Sequence, residues 1–363
     1  MRPRRWLQIT TMPLTRAYCK GDSMENLEKA LGGIIENIPD LDLREHESMR
    51  LHCSFKVGGE VRAFIAPKDI WEMTKVFYYL HMNEVLPLIV GKGTNLIIPE
   101  EGLDICVVST EKLTKLRLGT TDDTIYAEAG VSLARLAQFA QANGLAGLEF
   151  ASGIPGSVGG GILMNAGAYG GEMKDVVESV VMYYLTDQAL CEIKNEDCGF
   201  GYRRSSFTKV NCAITGAVFK LTKDEPEAIA ARMHEMNEKR RKNQPLDLPS
   251  AGSAFKRPVG GYAAALIDEA GLKGYTVGGA QVSEKHAGFV VNKGGASYDD
   301  IVALMDHVRR EVYEKSGITL EPEIRIYPKG VVLIDDWKRR KQTALDEMLK
   351  LAKEKGAKPD EEQ

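Results

Sequence analysis

The segment Gly153-Ile154-Pro155-Gly156-Ser157-Val158-Gly159-Gly160-Gly161, closed by Asn165-Ala166-Gly167-Ala168-Tyr169-Gly170-Gly171, carries more glycine than a core element can use. Glycine tolerates positive φ and lets main-chain N–H groups come close to a diphosphate, so the chemistry expected here is backbone recognition of a phosphate-bearing ligand. A glycine-rich turn system without a ligand is the alternative. A shorter loop, Gly91-Lys92-Gly93-Thr94-Asn95, has the same character. It is not a Walker loop, in which Ser or Thr follows the lysine and a helix follows, because Lys92 precedes Gly93 and then the β-prone Leu96-Ile97-Ile98. A Rossmann turn also needs a helix whose N-terminus faces the diphosphate. The donors of this loop are therefore expected from its backbone alone, with a strand on either side.

The elements around these loops follow from periodicity and caps. Residues 24–38 have helical spacing at Leu27, Ala30, Leu31 and Ile34, and a polar stretch runs to Arg50. Short strands are predicted from Phe55 around the turn Val57-Gly58-Gly59 and over 61–66. A helix capped by Asp69 follows, with Ile70, Met73, Phe77 and Leu80 on one side, and then a buried strand over 85–90. Strands near 105–109 and 125–129 lead to a helix capped by Ser132, with Leu133, Leu136, Ala137 and Ala140 aligned and Gly144 at its end. Beyond the glycine segment, strands are predicted over 176–186, 190–194 and 213–221.

A composition shift marks the next boundary. Residues 224–243 read as a charged, domain-crossing helix whose last turn, Lys239-Arg240-Arg241-Lys242, is expected to be a solvated face. Helices over 262–270 and 300–315, the latter striped by Ile301, Leu304, Met305, Val308 and Val312, join strands at 289–292 and 324–327 in a small second α+β domain. The expected division is an extension over 1–23, a first region over 24–222 with two subdomains split near 68, a second domain over 223–330, and a charged tail over 331–363. That tail carries Trp337, the basic cluster Lys338-Arg339-Arg340-Lys341 and a helix capped at Thr343.

Composition narrows the partners. A chain of 363 residues with 47 basic and 51 acidic groups offers no global attraction to a polyanion, so nucleic acid is not expected and a phosphate must be caught locally. Six cysteines without a C-x-x-C pair argue against structural zinc and a disulfide scaffold, no metal site is expected, and a reducing cytoplasm fits. No apolar run approaches the roughly 20 residues of a membrane span. The basic stretch before Met24 reads as an upstream start, with an organellar transit peptide as the alternative.

Two glycine loops about 60 residues apart, neither of Rossmann type, suggest a dinucleotide held extended between strands, with FAD the natural candidate. The pattern resembles the FAD-binding domain of the vanillyl-alcohol-oxidase (PCMH) type. Further segments are similar to the UDP-N-acetylenolpyruvoylglucosamine reductase (MurB) family of bacterial peptidoglycan synthesis. These are Ser54-Phe55-Lys56-Val57-Gly58-Gly59, the two glycine loops, Phe200-Gly201-Tyr202-Arg203, Ala251-Gly252-Ser253-Ala254-Phe255-Lys256-Arg257-Pro258, Lys285-His286-Ala287-Gly288-Phe289 and Leu320-Glu321-Pro322-Glu323-Ile324-Arg325, in the family's order. The resemblance covers about 51–329. The short passage from Pro258 to Tyr262 resembles the family's compact second type, which lacks the insertion carrying a substrate-covering tyrosine.

That resemblance implies an α+β fold with a PCMH-type FAD-binding domain and a smaller α+β substrate-binding domain. It implies a cytoplasmic enzyme in which reduced FAD, recharged by NADPH, gives a hydride to UDP-N-acetylglucosamine enolpyruvate and yields UDP-N-acetylmuramate for the cell wall, cell shape and division. Gly91, Lys92, Gly93, Thr94, Asn95 and Leu96, with Gly153, Ile154, Pro155, Gly156, Ser157, Gly159, Gly160, Asn165, Ala166 and Gly167, would hold the cofactor. Ser253 matches the family's proton donor, Arg203 its arginine and Glu323 its carboxylate around the developing enolate. Arg257 falls at the position that meets the substrate diphosphate, where relatives can carry Asn, and Tyr202 and His286 lie in substrate-facing segments. Taken alone, Ser253 reads as a turn residue, Arg203 as a salt-bridge partner, Glu323 as a strand-end carboxylate and His286 as a structural group. An FAD-dependent oxidase of the same fold and a non-catalytic nucleotide-binding protein remain the rival functions.

Overall fold

The computed structural model describes residues 22–330. The tail expected over 331–363 and all but the last two residues of the expected extension lie outside the described residues. The first unit is a four-stranded sheet in the order Asp42–Ser48, Glu60–Ala66, Leu103–Ser109, Leu88–Val90. Helices α1 (Asp22–Asn37) and α2 (Ile70–Met82) cover one face. Alternation assigns the faces: Ala63, Ile65, Cys106 and Val108 pack with Leu27, Leu31, Ile34, Met73 and Phe77, while Phe64, Val90, Ile105 and Val107 form a second core behind. Asp69 caps α2 by accepting from the Glu72 N–H at 2.8 Å. Asp42–Ser48 corrects the expected polar stretch. It is an edge strand, paired antiparallel with Glu60–Ala66, whose own side chains are mostly half-exposed.

The second unit is a five-stranded antiparallel sheet in the order Ala189–Lys194, Val177–Tyr184, Cys212–Lys220, Thr124–Glu128, Leu116–Leu118. It packs on α3 (Leu133–Ala142) and α4 (Val158–Leu163). Ser132 caps α3 by accepting from Arg135 N at 3.2 Å. The change of sheet comes between Ser109 and Leu116, whereas residue 68 falls between a strand of the first sheet and α2. Helix α5 (Pro226–Asn243) then crosses to the third unit.

The third unit is a sheet in the order Ser250–Ser253, Phe289–Asn292, Ala280–Val282, Thr276–Val277, packed on α6 (Ala263–Glu269) and α7 (Tyr298–Ser316). The predicted stripe of α7 is buried throughout, and the helix ends at Gly317 in the left-handed region, φ 71°. Two expectations change here. Phe55 and Val57 form no strand and are buried in the core of this third unit, anchored where buried Asn292 donates Nδ2 to the Phe55 carbonyl at 3.1 Å. Strand Arg325–Ile326 does not complete the third sheet: it pairs in parallel with Leu96–Ile97, directly after the shorter glycine loop.

Candidate active site

The two glycine segments meet around one hydroxyl. Ser157 is buried, and its Oγ has no hydrogen-bond partner within the protein. A Cβ placed on Gly91 would overlap that Oγ, one on Gly160 would lie 3.7 Å from it, and one on the neighbouring Gly156 would lie 3.5 Å from Thr94 Oγ1. Unpaired buried hydroxyls are costly, so this atom is open to a polar ligand. A dinucleotide cofactor fits: the cradle has a free hydroxyl at its centre, glycine on its walls, and exposed Lys92 at its mouth.

Contacts within the protein also occupy several residues of these segments. Gly93, with φ 59°, is glycine because a Cβ would collide with the His52 carbonyl, and a Cβ on Gly167 would lie 2.7 Å from Glu172 Cβ. Gly159 and Gly161 donate their N–H groups to Ala129 and Ser157 carbonyls at 2.9 and 2.8 Å, and Ala166 donates to Gly161 at 2.7 Å. The expected open loop contains the short helix α4, and much of its backbone donor capacity is spent inside the protein. Asn165 is also committed: its Nδ2 donates to Glu172 Oε2 at 2.7 Å and the Gly201 carbonyl at 3.1 Å, while its Oδ1 accepts from Lys174 N at 2.9 Å.

Arg203 stands at the tip of a tight turn closed by paired backbone bonds between Gly201 and Arg204, at 3.0 and 3.2 Å. Its φ of 53° is left-handed, as are those of Asn165 (42°) and Tyr169 (52°). Such conformations in non-glycine residues cost about 1 kcal/mol or more and persist where neighbours enforce them. Arg203 Nε donates to Glu323 Oε1 at 2.7 Å and its Nη2 to the Gly167 carbonyl at 3.2 Å, so a pair separated by 120 residues closes onto the glycine segment.

Glu323 is held from three sides. Its N–H donates to the Ala254 carbonyl at 2.9 Å, its carbonyl accepts from Asn95 Nδ2 at 3.3 Å, and its side chain is only 14% exposed. Burial raises its pKa, and the Arg203 charge and hydrogen bond offset that rise only in part. The bond to Ala254 sets Ser253 one residue away, at the edge of the third sheet opposite Phe289.

The remaining residues gather on the same side. Arg257 N donates to Tyr202 Oη at 3.1 Å, the Arg257 guanidinium lies 4.4 Å from the Tyr262 ring centroid, and Arg203 lies 5.2 Å from that of Tyr202. His286 accepts from Gly288 N through Nδ1 at 3.1 Å, and burial lowers its pKa, which favours the neutral ring. Sequence reasoning missed Arg240. Within the charge run expected to be solvated, it is 7% exposed and bonded to the Gly153 carbonyl. Its alternation with exposed Lys239 and Arg241 gives no sequence signal; only the packing of α5 against residues 149–153 separates it from them.

Two family models match: an FAD binding domain over residues 61–188, and the UDP-N-acetylenolpyruvoylglucosamine reductase C-terminal domain over 244–327. Proteins named UDP-N-acetylenolpyruvoylglucosamine reductase from Thermotoga sp. (strain RQ2) and Caldanaerobacter subterraneus subsp. tengcongensis are 43% and 45% identical over 290 and 282 residues. The alignments cover 80% and 77% of this chain and 95% and 92% of those proteins. The crystal structure of the Thermus caldophilus UDP-N-acetylenolpyruvylglucosamine reductase (MurB) superposes with a TM-score of 0.67 at 33% identity, covering 79% of this chain and 99% of that one.

Proposed function

The chain belongs to the UDP-N-acetylenolpyruvoylglucosamine reductase family, and from that premise we infer that it oxidises NADPH and reduces UDP-N-acetylglucosamine enolpyruvate to UDP-N-acetylmuramate. It is an α+β FAD enzyme with a PCMH-type cofactor domain and a smaller substrate-binding domain. We assign the cofactor domain to 24–222 and the substrate domain to 223–330. Among the described residues no helix is long and apolar enough to cross a membrane. The cytoplasmic location is carried by the family resemblance.

The observation that carries the assignment of roles is the Arg203–Glu323 pair closing onto Gly167, beside the strand that bears Ser253. FAD, when bound in the Ser157 cradle, supplies the hydride chemistry that links NADPH oxidation to reduction of the enolpyruvyl double bond. Arg203 takes the substrate carboxylate, where a guanidinium binds both oxygens and steadies the charge that develops on them. Bringing that carboxylate next to Glu323 adds a like charge to a group already raised by burial, which strengthens its hold on a proton and suits it to donate to the enolate. Ser253 delivers its hydroxyl proton to the neighbouring carbon, so hydride and proton are added across the double bond. Arg257, its backbone fixed by Tyr202, binds the diphosphate, and His286 contacts the sugar.

An anaerobic spectrum tests this. The bound flavin should bleach with NADPH and recover when the enolpyruvyl nucleotide is added. Ser253→Ala should bleach at the normal rate yet recover at least about 100-fold more slowly, the usual scale of a lost general acid. Recovery of Ser253→Ala at the wild-type rate would remove Ser253 from the chemistry.

A further inference from the structure

The strand that bears Ser253 cannot be regular. Ala251 and Ala254 both pack in the core of the third unit, with Val290 and the buried residues of α6 and α7. In an unbroken strand, residues an odd number of positions apart face opposite ways. The register resolves the conflict: Ser250 lies opposite Val291 and Ser253 opposite Phe289, so a step of three residues on one strand is matched by a step of two on the other. This is a β-bulge. Gly252 takes it up in the left-handed region, φ 79°, with nothing within 4 Å of a Cβ built there. The extra residue leaves Ser250 and Ser253 together on the face turned away from α6 and α7. Without it, Gly252 would stand opposite Phe289 and Ser253 would turn into the core.

A bulge interrupts the ladder that holds a strand, and this strand is also the edge of its sheet. A hydroxyl from a distant part of the chain supplies the missing restraint. Ser54 Oγ donates to the Ser250 carbonyl at 2.6 Å, across 196 residues of sequence. The Ser54 backbone is itself fixed on two sides. Its N–H donates to the Gly93 carbonyl at 3.1 Å, and the carbonyl of the next residue, Phe55, accepts from Asn292 Nδ2 at 3.1 Å. Cys53 and Phe55, on either side of it, are buried. Gly93 belongs to the shorter glycine loop, so one half-buried serine joins that loop to the start of the bulge that aims Ser253.

We propose that Ser54 is a positioning residue for the protonation step: its hydroxyl sets the spacing between the shorter glycine loop and the bulged strand, and so the line along which Ser253 delivers its proton. The inference rests on the functional reading above, with Ser253 as the proton donor. Hydride and proton reach adjacent carbons of the substrate from separately anchored groups, one held by the glycine loops and the other by the third sheet. Ser54 is a direct bond between those two anchors. Proton delivery depends on alignment, and a misplacement of about 1 Å can cost about 100-fold. Oxidation of NADPH makes no use of the bulge.

Anaerobic stopped-flow measurement of the two half-reactions separates this role from a structural one. In Ser54→Ala the backbone bonds to Gly93 and from Asn292 remain, so the protein should fold and bind FAD. Bleaching by NADPH should stay within about twofold of wild type, while recovery with saturating enolpyruvyl nucleotide should slow about 10- to 100-fold. Ser54→Thr, which keeps a hydroxyl, should recover at close to the wild-type rate. In a Ser253→Ala background, where recovery no longer draws on the Ser253 proton, adding Ser54→Ala should change the rate by less than about threefold. Unchanged recovery in Ser54→Ala, equal slowing of both half-reactions, or a full further loss in the Ser253→Ala background would each overturn the proposal. If Ser54→Ala does not fold, Ser54→Cys decides: it nearly keeps the volume but has only a weak donor, and recovery at the wild-type rate in that variant overturns the proposal equally. A wild-type protein that binds no FAD, or whose bleached flavin does not recover with the enolpyruvyl nucleotide, would instead sink the functional assignment itself, an outcome distinct from all of these.

Discussion

Replacing Gly91 with alanine isolates the meeting point of the two glycine segments. Gly91 does not have a left-handed φ, so alanine fits its backbone, and the added Cβ overlaps one atom, Ser157 Oγ. Its other neighbours, Ser157 Cβ at 3.6 Å and Thr110 Oγ1 at 3.9 Å, are ordinary contacts. Ser157 must therefore turn about χ1 within a buried site, and Gly91→Ala should destabilise the apoprotein by about 1 kcal/mol, the low end of overpacking. Ser157→Ala removes the offending atom and a buried hydroxyl that lacks a partner, so the apoprotein should be as stable as wild type or up to about 1 kcal/mol more stable. The double variant should then show a coupling energy of about 1 kcal/mol. FAD affinity should move the other way, weakening about two- to tenfold in Ser157→Ala because the ligand loses one hydrogen bond. Urea unfolding of the apoproteins gives the first quantity and quenching of flavin fluorescence the second. Zero coupling, or a Ser157→Ala protein that is less stable yet binds FAD normally, would refute the picture of a hydroxyl waiting for the cofactor.

The raised pKa of Glu323 sets a pH dependence with a definite sign. Because the folded state holds the proton more tightly than the unfolded one, this contribution is full below the unfolded value near 4.5 and is lost as pH rises through the folded pKa. The stability difference between wild type and Glu323→Gln, read from denaturant curves at a series of pH values, should shift against the wild type as pH rises through that window; an opposite trend would mean that Arg203, not burial, dominates. At the end of α7, nothing lies within 4 Å of a Cβ on Gly317, so Gly317→Ala should cost only the left-handed backbone term, about 1 kcal/mol in urea unfolding, and a loss above about 3 kcal/mol would reveal packing at the cap.

Local signals carried much of the fold. Caps at Asp69 and Ser132 and the stripe on α7 each bury one face of one element, so periodicity and capping chemistry report them directly. Strand Asp42–Ser48 was hidden because its sequence, DLREHES, has no apolar alternation; its neighbour Glu60–Ala66 supplies the buried side chains. The pairing of Leu96–Ile97 with Arg325–Ile326 depends on three-dimensional closure that no short window contains. The site shows the same division. Family-like motifs located Arg203, Ser253 and Glu323, but whether a given glycine spares room for a ligand or for a neighbouring carbonyl, as at Gly93, is decided by packing. Arg240 was lost for the same reason, since a run of four basic residues looks alike on every face until one of them is covered.

The parallel pairing of Leu96–Ile97 with Arg325–Ile326 also sets a timetable. During synthesis the strand that follows the shorter glycine loop emerges more than 200 residues before its partner, leaving an unpaired edge in the growing chain. Glu323 arrives with that partner, and both its backbone bond to Asn95 and its contact with Arg203 form in the same step. Closing so long a loop is entropically demanding and has to be offset by the whole core around Ile97, Ile324 and Ile326. The strand beside the shorter glycine loop and the Arg203–Glu323 pair are thus finished together, late, so a nascent chain cannot hold the complete candidate site before its final strand docks.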